Sequence, residues 1–117
     1  MNKKVINEIV CRFFQNEETF NDIKELEKHC EYPIAKYVYS LCLLEGIKVR
    51  KNTQKGQTLL TEAIKEGAGE ICFLLASIYC YLGCGEATIA FLIKSSENNN
   101  EKAKNAINLL KEHLKIN

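Results

Sequence analysis

Apolar residues recur at helical spacing from one end of this 117-residue chain to the other, and a single proline, Pro33, interrupts them. Recurrence at i, i+3, i+4 and i+7 marks an amphipathic helix, whereas a half-buried strand alternates every second residue. Val5, Ile6, Ile9, Val10, Phe13 and Phe14 make one broad stripe. Phe20, Ile23, Leu26 and Cys30 make a second, behind Asn16 as an expected N-cap with Glu17 and Glu18 in the favourable first turn. Tyr32-Pro33 is the break, because a proline suits the first turn of a new helix. The third helix runs from about Pro33 to Glu45 and ends at Gly46. A basic connection follows, onto which Ile47 and Val49 are placed as apolar pins. The fourth helix starts near Asn52 or Thr53 and is expected to stop at Gly67 in an αL cap. The fifth, about Gly69 to Leu82, is apolar on every side, which implies neighbours all round. Gly83-Cys84-Gly85 turns the chain into a sixth helix, about Glu86 to Ser96. Asn98, Asn99 and Asn100 break it, since asparagine side chains compete for the backbone. Ala103, Ala106, Ile107, Leu110 and Leu114 give the last helix one apolar stripe opposite Lys104, Asn108, Lys111 and Lys115. The reading is all-α, with about seven antiparallel helices and no strand.

Hydrophobic residues make up 46% of the chain and charged residues 26%, a globular balance. Sixteen basic against fifteen acidic residues leave a net charge of +1. That excludes a broad electrostatic pull toward nucleic acid or an anionic membrane. The longest apolar run, Ile71 to Leu82, is shorter than the roughly 20 residues a spanning helix needs. The first residues lack the pattern of a secretory leader. The expectation is a cytoplasmic domain with no nucleic-acid and no membrane partner. Five of the six cysteines (Cys11, Cys30, Cys42, Cys72, Cys80 and Cys84) sit within apolar helical patterns, where a thiol behaves as a small hydrophobe. Free, buried thiols are therefore expected, ahead of disulfides or a metal site.

Residues 35–43 set above residues 71–79 align at an offset of 36 (71 minus 35). Apolar or small residues coincide at 35/71, 39/75, 40/76 and 43/79. Each block follows a helix and ends near a glycine, Gly46 or Gly83, and the period lies in the range of helical solenoids. The stretch Ala35 to Gly83 resembles a Sel1-like repeat, a relative of the tetratricopeptide repeat. Gly46, Val49 and Lys55 match that family's turn and helix start, Ala63 and Gly67 its helix end, and Leu75, Ala76 and Tyr79 the next opening. Lys48 stands where the family usually has glycine, Asn52 where it has aspartate, Gly56 where it has alanine, and Ile64 replaces a second alanine. The resemblance implies a short α-solenoid. Its parts would be an N-terminal helix pair (1–32), a first repeat (33–67), a degenerate second repeat (68–97) and a capping helix (98–117). It also implies a protein that binds another protein, as an adaptor or, in a narrower version, as an inhibitor or immunity protein for one partner.

No motif in the sequence carries catalysis: there is no G-x-S-x-G, P-loop, G-x-G-x-x-G or H-E-x-x-H. His29 reads as a surface residue and His113 as a cation at a helix C-terminus. No catalytic residue, cofactor or metal is expected. Candidate partner-binding residues are Tyr32, Tyr37, Phe73 and Tyr81, aromatics the repeat does not need, with Lys48 and Arg50 from the basic connection. Core packing is the competing role for Tyr37 and Phe73. A second class of function stays open, a small thiol-dependent enzyme or metal-binding protein using Cys72, Cys80, Cys84 or His29. Self-association through the apolar first helix is a third.

Overall fold

The computed structural model describes the backbone of residues 2–115 and the side chains of residues 3–112. The expected contacts of Leu114 and the dipole role of His113 lie outside the described side chains. Among the described residues the chain is helical throughout and has no strand: α1 (Asn2–Phe14), α2 (Phe20–Lys28), α3 (Pro33–Glu45), α4 (Thr53–Tyr81), α5 (Gly85–Glu97) and α6 (Glu101–Lys115). It forms two compact units, Met1–Gly67 and Ala68–Asn117.

In the first unit α1, α2 and α3 pack on one another. Ile6, Ile9 and Val10 from α1, Ile23 and Leu26 from α2, and Ala35, Val38, Cys42 and Leu43 from α3 are all buried. Half of the α1 stripe is thus spent internally, while Val5 remains 38% exposed and Phe13 and Phe14 are half-buried. Thr19, and not Asn16, caps α2. The Thr19 hydroxyl accepts the Asp22 N–H at 3.1 Å and the Asp22 carboxylate accepts the Thr19 N–H at 3.0 Å, a reciprocal capping box. Asn16 instead takes φ 60 and turns the chain out of α1, a conformation asparagine tolerates. The α2 helix ends at Lys28, so Cys30 lies in the turn beyond it.

Two devices join α3 to the first part of α4. Lys36, 8% exposed, reaches the Glu66 carboxylate at 2.9 and 3.0 Å and Glu62 at 3.4 Å. The hydrogen bond to Glu66, ahead of that to Glu62, raises the lysine pKa. The pair therefore supports the fold at neutral pH and is lost as pH rises through the raised value. Small residues are the second device. A Cβ on Gly56 would lie 2.9 Å from Leu44 Cγ, and one on Gly67 would lie 2.5 Å from Pro33 Cβ.

Gly67 does not end a helix in an αL cap. It sits inside α4 at φ −146, ψ 43, one non-helical residue between two helical stretches. Among the described residues α4 thus comprises two helical stretches interrupted at Gly67, and six helices are delimited where periodicity suggested about seven. Gly67→Ala should cost about 1–3 kcal/mol, because the rigid proline ring cannot move aside. Gly85→Ala, with nothing within 4 Å, should be close to neutral. Urea unfolding of both variants measures the difference.

In the second unit α5 packs on α6, and Ala76, Leu92 and Ala103 form a core flanked by Phe73, Phe91, Ala106 and Ile107. The Tyr79 and Phe91 rings stack at 5.5 Å. The buried Ser95 hydroxyl donates to the Gly69 carbonyl at 2.6 Å, tying α5 to the start of this part of α4. The stretch expected to be sandwiched is buried only at Ile71 and Ala76. Cys72, Phe73, Leu74, Leu75, Ile78 and Tyr79 are half-buried. No helix among the described residues is long and apolar enough to cross a membrane.

Candidate functional site

The basic connection after α3 is a folded loop. Gly46 leaves the helix at φ 70, and the Ile47 N–H donates to the Cys42 carbonyl at 3.0 Å. At the far end the Asn52 N–H donates to the Leu43 carbonyl at 2.9 Å, while Asn52 Oδ1 accepts the Lys55 N–H and starts α4. Ile47 and Val49 are half-buried, and Lys48, Arg50 and Lys51 are exposed. Three cations thus stand at the C-terminus of α3, where the helix dipole favours positive charge. A fourth, Lys55, lies with its ammonium 5.9 Å from the centre of the Tyr39 ring. Burial, with Glu27 nearby, pushes the Tyr39 phenol up to about 12.

Within this loop Lys48 adopts φ 56. The left-handed region costs a side chain with a Cβ about 1–2 kcal/mol, and only Gly and, less often, Asn or Asp visit it routinely. Asn16 and Asn99 are the other non-glycine residues with positive φ among those described. Lys48 is the one without a side chain suited to that backbone.

Of the six sequence-expected contact residues, Tyr32, Tyr37, Lys48 and Arg50 lie in the first unit and Phe73 and Tyr81 in the second. Tyr32 is the N-cap of α3 and packs edge-on against His29, ring centres 6.5 Å apart. Lys48 and Arg50 follow the other end of α3, a helix of 13 residues and so about 20 Å long. Tyr37 is half-buried on α3. Phe73 is half-buried and packs against the core of the second unit. Tyr81, at the end of α4, is 80% exposed, and Leu82 beside it 61%. Sequence periodicity missed Leu82, Ile89 and Ile93 as exposed apolar residues. For Ile89 and Ile93 a helical wheel of α5, which is apolar on two faces, carried that signal.

All six cysteines are free, but they are not uniformly buried: Cys42 is buried, Cys30 and Cys72 are half-buried, and Cys11, Cys80 and Cys84 are exposed. Burial raises the thiols of Cys30 and Cys72 and pushes Cys42 up to about 12. At neutral pH these three stay protonated and are poor nucleophiles. A disulfide-exchange reagent should label three thiols of the folded protein quickly and Cys42 only on unfolding. Equal rates for all six would contradict this burial.

His29 is largely covered, its side chain 20% exposed, rather than on the surface. Its Nε2 lies 3.4 Å from Glu25 and its Nδ1 3.9 Å from Glu31. Cys30 donates to the Leu26 carbonyl at 3.4 Å, so it is engaged with backbone and not with the neighbouring imidazole. No group of three His, Cys, Asp or Glu side chains able to hold a metal ion occurs among the described residues. Comparison with protein-family models, with curated proteins and with solved structures finds no match to this chain.

Proposed function

We propose that the chain is a Sel1-like helical-repeat module that binds the acidic surface of another protein without catalysing a reaction. The observation that carries this reading is Lys48. A costly backbone conformation persists where the surrounding structure over-determines it, and such strain clusters at functional sites. Here the two ends of the loop are pinned to the α3 carbonyls, and the strained residue presents an ammonium beside Arg50 and Lys51. Glycine, the usual residue at this place in a Sel1-like repeat, takes φ 56 without strain. Keeping lysine there gives up stability for a fixed positive charge, as a preformed binding surface requires. The narrower version, an inhibitor or immunity protein that blocks one partner, follows from the same surface.

The thiol-based or metal-binding alternative has less support. Cys72 is half-buried with a raised pKa, and His29 faces two carboxylates. Bound zinc in the purified protein, or a thiolate titrating well below about 8.5, would favour it instead.

Lys48→Gly decides between strain with a purpose and strain without one. It should stabilise the fold by about 0.5–1 kcal/mol in urea unfolding. Affinity capture from native cells, compared with Lys48→Gly and Arg50→Glu, should show one protein retained by the parent chain and lost from both variants. Capture unaffected by either change would refute the assignment of this loop.

A further inference from the structure

Helix α5 carries apolar side chains on two faces. Leu92 is buried and Phe91 half-buried on the face that meets the core of the second unit. On the opposite face Ile89 and Ile93, one turn apart, remain 49% and 46% exposed, with the exposed Ala90 beside them. Glu86 flanks this stripe toward the start of the helix and Lys94 toward its end; both are exposed. Neither forms an ion pair among the described residues. Isolated exposed isoleucines are ordinary, but two in register on one face, bracketed by opposite charges, make a pattern.

That pattern is complementary to itself in one arrangement. When two copies of α5 lie antiparallel about a two-fold axis at Ala90, Glu86 of each copy stands opposite Lys94 of the other. Both ion pairs form at once, as symmetry requires. Ile89 and Ile93 fall near the axis, and Ala90 meets Ala90, where a small side chain lets the helices approach. Glu97 lies toward the other copy's helix N-terminus, where acid is favoured. A parallel pairing would instead oppose like charges at both ends. We propose that the outer face of α5 is a docking surface for a second copy of this chain, forming an antiparallel, two-fold symmetric dimer. One helix face is smaller than the roughly 800 Å² a side of a standard interface, so the dimer is weak.

Sedimentation equilibrium of the full chain at low salt, from about 10 μM to 1 mM, tests it. The average mass should climb from the 13.4 kDa monomer toward twice that value with concentration. Ile93→Ser should hold it at the monomer. Glu86→Lys and Lys94→Glu should each weaken association at least about tenfold, since each sets like charges face to face twice. An equimolar mixture of those two variants should regain the dimer, because in the mixed dimer one ion pair re-forms as in the parent and the other with its signs exchanged. These residues are exposed, and circular dichroism checks that each variant is folded. A monomer at all concentrations, association insensitive to Ile93→Ser, or a mixture that stays as weak as its components would each overturn the proposal.

Discussion

Truncating Leu26 to alanine should destabilise the first unit by about 3–4 kcal/mol, the largest effect expected of a single change in this chain. Leu26 is fully buried, as are Ile23 on the same helix, Ile9 on α1 and Val38 on α3. Removing three carbons there forfeits their transfer free energy and leaves a cavity that three packed helices cannot easily close. The comparison is Phe20→Ala on the same helix. Phe20 is 54% exposed, its ring 4.8 Å from the Lys24 ammonium, and its loss should cost about 1 kcal/mol or less. Denaturant midpoints of the two variants measure the contrast. Equal losses would mean that the helices do not pack as described.

Asp22→Ala should cost about 2 kcal/mol, and the loss should fade in acid. The Asp22 carboxylate accepts from Arg12 Nε at 2.8 Å and Nη2 at 2.7 Å, and from the Thr19 N–H, while its residue is only 8% exposed. The side-chain hydrogen bonds to Arg12 come first among the causes that hold its pKa below the ordinary 3.8; burial opposes them. A carboxyl with a depressed folded pKa stabilises the fold above its ordinary value, and loses that contribution as pH falls through 3.8 toward the folded value. Parent and variant should therefore differ at pH 7 and converge in acid, once the pH has fallen below the depressed folded value. Much of the loss belongs to the cap, since the Arg12 side chain is 40% exposed and water screens its charge. A difference independent of pH would show that the ionised carboxylate is not the active group.

Much of the helical layout was legible in the sequence, and the misses have identifiable causes. The α1 and α2 stripes were readable because i, i+4 spacing places side chains on one face whatever they later meet. The true cap was present as Thr19-x-x-Asp22, but Asn16 followed by two acidic residues imitates a cap, and nothing local shows that Asn16 takes the left-handed turn. Gly67 reads as a terminator. Its use instead is to let Pro33 come within reach of α4, a contact 34 positions away (67 minus 33). The candidate contact residues fared differently from one another. Tyr81, Lys48 and Arg50 are exposed, whereas Phe73 is half-buried against a core, because aromatic character is equally suited to either fate.

Spacing of apolar residues and the lack of strand alternation determined that this chain is helical, since hydrogen bonds and side-chain register within a helix are local. Tertiary structure alone decided which face of α5 turned inward and left Ile89 and Ile93 outside. It also buried Lys36 between Glu62 and Glu66, and it held Lys48 in a conformation its own side chain disfavours. Each of these depends on free energy exchanged between residues far apart in sequence, and periodicity along one helix carries no information about which partner its faces will find.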